Sequence, residues 1–500
     1  MTTYEVRPGG QGEGGTLPTI AAAARLVKAG DTVILRGGVY RERLIANVAG
    51  VTWQAADGER VVLDGGWNGK TLTKLPTQVV VTAADVTVDG LSVVNVAGDA
   101  IGVSKGGHQA RILNCRVDKA LSGGIILNAG ETLRGIVVSG CVVTRTGMGW
   151  AIRRSGGVSG AINLIRCDGA LVEDTVSAYS WGEGLNVGKG TTNSVVRRYT
   201  GFDNAHFCLG VNRAQDCLIE ECLLFLTGFE ERQVGSENWP GGLVIGDEEG
   251  LKGETYAPSR GIQVRRNVII NAGIGIGVRN DTTWDGYDTQ LVDTAIEFNT
   301  VVFGPLTRVG INVGENERGR PHVNSVVRDN AVWSSSAAWP GWAAASGDTE
   351  NVTWTRNGWS NVPLDAFRSF EDVIGFELVD PAAPLANEFP VPAHNVNLGN
   401  YRPVALSPLI GAGTNGSTIG ALAAQSGPPV EPPLEPDTAP DVAAAVARLA
   451  TALMQLEAIA AAGNVAAEAW AIIREQAAIM ALAQQDAADN VAAAVAILEG

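Results

Sequence analysis

The chain has little of what most often marks a function. Six cysteines in 500 residues are too few for a disulfide scaffold. The four histidines, His108, His206, His322 and His394, are scattered. No C-x-x-C or H-E-x-x-H pattern appears, which argues against a zinc site. Charged residues make up only 18% of the chain, and 37 basic against 53 acidic ones leave a net charge of −16. A protein whose main partner is nucleic acid needs a basic face, so that class is disfavoured. No run of 18 apolar residues exists, so no helix is expected to span a membrane. The start, MTTYEVRPGGQGEGG, lacks a basic stretch followed by an apolar one and does not read as a secretory signal. Its GGQGEGG has no useful strand before it and no Lys-Ser/Thr pair, so it is not a phosphate loop.

What is abundant is glycine, 63 residues, alongside 45% hydrophobic content. That combination points to an ordered fold with many turns. A short phrase recurs, with apolar residues at relative positions 0, 2 and 7 and a special residue at position 5. It runs Val86-Val88-Leu91-Val93, Ala110-Ile112-Cys115-Val117, Ile136-Val138-Cys141-Val143, Cys217-Ile219-Cys222-Leu224 and Ile262-Val264-Asn267-Ile269. It continues through Thr294-Ile296-Asn299-Val301, Ser325-Val327-Asn330-Val332 and Val352-Trp354-Asn357-Trp359, and fits less cleanly near Ala170 and Ser194. A second apolar-any-apolar phrase follows, as in Ile101/Val103, Leu185/Val187 and Leu209/Val211. Alternation of period two means strands with one buried face. Strand, turn, strand, turn at this period is the pattern of a parallel β-solenoid, in which each coil buries its face only by stacking on the next. Position 5 then becomes a column. Asn267, Asn299, Asn330 and Asn357 are expected to hydrogen-bond along it, and Cys115 and Cys141 to pack as small buried residues.

The opening YEVRPGGQGEGGTLPTIAAAARLVKAGDTVILRGGVYRERL resembles the start of right-handed parallel β-helix proteins of the pectate-lyase-like superfamily. The resemblance implies a capping helix from about Pro18 to Ala29, stopped by Gly30, and a first coil at GDTV…GxY. The stretch NYRPVALSPLIGAGTNGSTIGAL, 400–422, resembles the closing coil of such proteins. The implied fold is all-β: a right-handed parallel β-helix of ~10 coils with an N-terminal capping helix. Its organisation reads as cap and first coil over 1–50, solenoid over 51–424, linker over 425–440 and helical module over 441–500. The superfamily holds lyases, hydrolases, epimerases, viral tailspikes and proteins without chemistry, so the resemblance speaks for fold and not activity.

GPPVEPPLEPDTAP, 427–440, is a semi-rigid linker by composition. Beyond it the chain is Ala-rich, and Val442, Val446, Leu449, Leu453 and Leu456 form a heptad seam. Two readings stand: a helical hairpin folding back on the solenoid, or an assembly module forming a trimer or plugging into a larger particle. Two basic against seven acidic residues over 441–500 disfavour a membrane-surface role.

Chemistry in a solenoid is expected in turns and insertions along one lateral face. The insertions and turns there bring together acidic, aromatic and basic residues. Candidate catalytic residues are Glu183 and Asp203, taken as lying at similar places in successive coils, with Asp247 and Arg279 at matching places beyond the second strand. Candidate substrate-binding residues are Trp150, Trp181, His206, Glu230, Glu231, Trp239, Trp284 and Asp285. Aromatic faces stack on sugar rings and carboxylates accept from sugar hydroxyls; a glycosidase needs two carboxylates ~5–9.5 Å apart. No metal or other cofactor is expected, although calcium would suit a lyase; no compact Asp-x-Asp cluster matches the calcium-dependent ones. Three functions remain in view. The first is a virion-associated tailspike or fibre-like protein that binds, and in one form depolymerises, host surface polysaccharide, with a homotrimeric assembly and virion partners through 441–500. The second is a bacterial polysaccharide lyase or hydrolase exported by a non-classical route. The third is a purely structural or adhesin protein. The location expected for the first is the virion tail after synthesis in the host cytoplasm.

Overall fold

A computed structural model describes residues 1–423 except 9–15, 154–159, 229–239, 248–255, 280–288, 315–320, 336–343, 348–349 and 390. The side chains of Trp150, Arg153 and Arg279 also fall outside it. The chain divides into two units, Met1–Gly427 and Pro428–Gly500. The second unit, where the helical module was read, lies outside the described residues.

Three long parallel sheets of 13, 13 and 11 strands, here A, B and C in the order a coil visits them, make up the first unit. Eleven complete coils are described, because sheet C, the shortest, has 11 strands. The architecture is a right-handed parallel β-helix. Each coil holds three strands, one more than the sequence pattern suggested. The recurring phrase spans two of them: in coil six, Leu171–Glu173 belongs to sheet A and Val176–Ala178 to sheet B. Between them stand two residues. The first is left-handed, as at Asn114, Asp174, Arg198, Glu221, Arg266, Asp329 and Arg356, with φ between 49° and 56°. The second is the position-5 residue, turned into the core. A corner this tight shifts the inward positions by one, from 0 and 2 to 5 and 7, and the short phrase reads through it as a single unit.

The position-5 column is a hydrogen-bonded ladder. The Nδ2 of Asn267, Asn299 and Asn330 each donates to the Oδ1 of the next asparagine at 2.9–3.1 Å. The same amides, with Asn357, donate backward to the carbonyls of Ile219, Val264, Ile296 and Val327 at 2.9–3.1 Å. Each Oδ1 of Asn299, Asn330 and Asn357 also accepts the backbone N–H of the preceding asparagine. Asp372 ends the run by accepting from Asn357 N at 2.9 Å. In earlier coils the thiols of Cys115, Cys141 and Cys222 point at the equivalent carbonyls, Val88, Ile112 and Val196. All six cysteines are free and buried, and burial pushes most of their thiols up, Cys167 to about 12. The units near Ala170 and Ser194 fit the pattern poorly because their column residues are Thr175 and Tyr199; the Tyr199 hydroxyl meets Ser177 and donates to Cys208 O at 2.9 Å.

The outward face differs from sheet to sheet. Sheet A carries Glu173, Arg197, Glu220, Arg265, Glu297 and Arg328 in register, alternating in sign. Adjacent members pair at 2.7–2.9 Å. Sheet B presents apolar residues, among them Phe202, Phe225, Ile270, Val302 and Trp333. They are covered by Phe376, Leu378, Tyr401, Leu409 and Ile419. The segment resembling a closing coil therefore lies against the outside of sheet B, in 3-10 turns at Leu398–Tyr401 and Thr414–Gly416. An apolar outer face has to be covered, and this sheet has one.

The N-terminal cap is a helix of five residues, Ile20–Ala24, shorter than the sequence suggested. Thr19 caps it, accepting from Ala22 N at 3.0 Å. It stops well before Gly30 because Asp31 draws the following segment into a turn. One Asp31 oxygen accepts from Lys28 N at 2.9 Å and the other from Thr2 N at 2.6 Å. Those backbone donors, Lys28 first, hold the carboxyl below its ordinary 3.8. A lowered carboxyl stabilises the fold above its unfolded value and loses that stabilisation as pH falls through its folded value. Asp31→Asn is therefore expected to lower the melting temperature at neutral pH, with the difference from the native chain shrinking as pH falls below the ordinary 3.8, read by thermal unfolding across about pH 2–8.

Candidate binding groove on sheet C

Insertions are not spread evenly around the solenoid. Within the eleven coils, every connection longer than ten residues between described strands leads into or out of sheet C. Those leading in are 65–78, 145–161, 226–240 and 334–344; those leading out are 247–262, 280–294 and 313–324. From coil three onward the A-to-B corners hold at most two residues, since their left-handed residue turns the chain at once. Sheet C is thus a floor with added chain along both edges.

Its outward column reads Gly102, Ile126, Asn163, Asn186, Gly210, Val244, Gly277 and Asn312 in consecutive register. Asn163 and Asn186 are direct neighbours on coils five and six. A Cβ on Gly210 would come within 3.6–4.0 Å of Asn186, Phe207 and Glu183, so these three side chains converge over that glycine. Glu183 Oε1 lies 3.4 Å from His206 Nδ1, with side chains only 17% and 24% exposed. The His206 ring stacks on Phe207, centroids 3.8 Å apart. Carboxylate, imidazole, aromatic face and two amides therefore meet on coils five to seven. Such a set can hold sugar hydroxyls and pass a proton to or from a bound group.

The sequence candidates separate in space. Trp181 is half-buried in the turn beside Glu183, and its backbone N–H donates to Thr146 O at 2.9 Å. Asp203 faces the other way. It lies opposite Tyr179, one residue past the Ala178–Phe202 pair, whereas Glu183 stands two residues before the Leu185–Leu209 pair. The two acids are therefore not equivalent positions of successive coils. Asp203 is buried, and its carboxylate accepts from Thr227 N and Thr227 Oγ1 at 2.8 Å and from Asn387 Nδ2 at 2.6 Å. Asp247 is 2% exposed at the opposite edge of the floor. Arg279 pairs with Gly246 rather than Asp247, one residue out of step. Trp150 and Arg279 are described by backbone alone, in the helix Met148–Arg153 and at the end of the strand Ile274–Arg279. Glu230, Glu231, Trp239, Trp284 and Asp285 lie outside the described residues. Asn163, Asn186 and Phe207 were not singled out in the sequence. The two asparagines were visible as polar residues at the outward middle position of the second phrase, whereas Phe207 lies just before that phrase. Among the described residues no three His, Cys, Asp or Glu side chains gather as a metal site.

No protein-family model matches the sequence, and no curated protein matches it. Solved structures do resemble the fold. Pectate lyase Pel9A superposes with a TM-score of 0.53 at 14% identity, covering 85% of this chain and 96% of that one. The Dettilon tailspike protein gives 0.49 at 12% identity, over 74% and 68%. PfbA, a surface adhesin of Streptococcus pneumoniae, gives 0.47 at 10% identity, over 81% and 94%. The chain thus has the right-handed parallel β-helix fold of pectate-lyase-like proteins. Identities this low show fold alone.

Proposed function

We propose that the groove over sheet C binds a polysaccharide, and that the protein does so as a tailspike- or fibre-like component of a virus particle, directed at host surface polysaccharide. The observation that carries the binding reading is the confinement of insertions to the two edges of sheet C, around a floor where Glu183, Asn186, His206 and Phe207 converge. Rungs repeat at ~4.7–4.9 Å, close to the length of a sugar ring, so an extended glycan can meet equivalent side chains on successive coils. The Pro-rich linker and the heptad seam of the sequence support the particle role, with 441–500 joining three copies and other virion proteins. The Glu183–His206 pair favours a second reading, a polysaccharide lyase or glycoside hydrolase, in which these two residues exchange the proton.

The test is a panel of neutral and acidic surface polysaccharides presented to the full chain. Asn186→Ala is expected to weaken binding about tenfold or more, with Glu297→Gln on sheet A as an unchanged control. If chains are cut, Glu183→Gln is expected to slow product formation about a hundredfold while leaving binding in place. No binding across the panel, or binding indifferent to Asn186→Ala, overturns the groove. The particle role is tested separately by light scattering, with a trimer expected for the full chain and a monomer for residues 1–426; equal subunit numbers overturn it.

A further inference from the structure

After the insertion of coil eight the chain returns as a strap, residues 256–259, along the edge where sheet C turns toward sheet A. The strap reaches back over three coils. The Tyr256 hydroxyl meets the Arg166 guanidinium of coil five, which also lies over the Tyr256 ring 5.3 Å from its centroid. The ring fits against Gly190 of coil six, where an added Cβ would come within 3.3 Å of it. Arg213 of coil seven donates to Tyr256 O at 2.9 Å, and Gln215 donates to Pro258 O at 3.4 Å. This strap is a wall of the sheet C floor, and Asp247 gathers its root. Asp247 Oδ1 accepts from Ser259 N at 2.8 Å, its N–H donates to Thr289 Oγ1 at 3.0 Å, and its carbonyl accepts from Arg213 at 3.2 Å. Among the described residues the other carboxyl oxygen, Oδ2, is buried with no hydrogen-bond partner, and so is the Ser259 hydroxyl. The hydroxyl is near enough to favour the charged carboxyl without standing at hydrogen-bond geometry.

We infer that Asp247 is a positioning residue: its buried carboxyl latches strap 256–259 across coils five to seven, and the latch loosens when the carboxyl takes a charge. An unpartnered carboxylate oxygen in the interior is unfavourable, and the neutral acid escapes most of that desolvation cost. Among the described residues Arg213 is the charged group facing Asp247; Ser259 and Thr289 are neutral. Burial raises the carboxyl above its ordinary 3.8 and outweighs the opposing pull of Ser259 and Arg213. A carboxyl raised in the fold stabilises fully below its unfolded value, and that stabilisation is lost as pH rises through the raised value.

Hydrogen exchange of the full chain tests this without any ligand. The readout is the strap peptide 256–263, with floor peptides around 185–187 and 209–211 as the control. Asp247→Ala is expected to speed strap exchange about tenfold at both pH 3.5 and pH 8 with the floor unchanged. Asp247→Asn keeps the acceptor and cannot ionise. It is expected to match the native chain within about twofold at pH 3.5, below the ordinary carboxyl value, and to exchange about threefold more slowly than native at pH 8. Strap exchange unaffected by Asp247→Ala overturns the latch. A native-to-Asp247→Asn ratio that does not change with pH overturns the charge dependence. Should Asp247→Ala unfold, the floor peptides report it, and the Asp247→Asn comparison carries the test alone.

Discussion

Asn299→Ala is expected to be among the most destabilising single changes in the solenoid, at about 4 kcal/mol. The side chain is fully buried, donates to Val264 O and Asn330 Oδ1, and accepts from both the N–H and the Nδ2 of Asn267. Truncation leaves a carbonyl and two donors unpaired in the core, each costing about 1–3 kcal/mol, and opens a small void. Relaxation between coils recovers part of that, which sets the total below the sum. Cys222→Ala is the control at the same column. Its thiol stands 3.3 Å from Glu220 O and 4.0 Å from Val196 O, and a thiol is a weak donor, so the loss is expected to be about 1 kcal/mol. Urea denaturation of both variants checks the ratio. Because coils interact mainly with their neighbours, exchange in coils nine to eleven should rise first in the asparagine variant. Equal losses for the two variants would mean that the column is filled space rather than a hydrogen-bonded ladder.

Asp203→Ala is the second large effect, a loss of about 3 kcal/mol with release of the segment around Asn387. Its carboxylate joins Thr227 to Asn387, residues 160 apart in sequence, and nearby Tyr179 and Phe202 pack edge-on to Phe389 and His394 respectively. Removing the carboxylate loosens the cover over the apolar face of sheet B. The segment 385–396 should exchange faster, and the melting temperature should fall. Glu183→Gln should leave both unchanged, since Glu183 sits over the sheet C floor. The two acids, alike in the sequence, are expected to divide into one that holds the fold together and one that meets the ligand. Equal stability loss for both would place Glu183 in the fold's support as well.

The periodic phrases were enough to establish a parallel solenoid, because inward residues of period two must stack to be buried. They also established the asparagine column, since identical residues at one place in every coil become neighbours in space. Position in the coil was legible; direction at the corners was not. The sequence showed two phrases per coil where three strands exist, because the left-handed corner, as at Arg198 or Glu221, takes only two residues and the first phrase reads through it. Glu183 and Asp203 read as equivalents because both lie in the turn from sheet B to sheet C, which has six residues in coil six and four in coil seven. The turn between sheets B and C sends one over the floor and the other toward Asn387, which only the fold brings near. The same holds for Asp247, whose partners Arg213, Ser259 and Thr289 come from three different connections. Local pattern determines which residues lie inside a coil. Which outward residues share a site depends on register and on what returns to cover each face, and those are set by packing across coils.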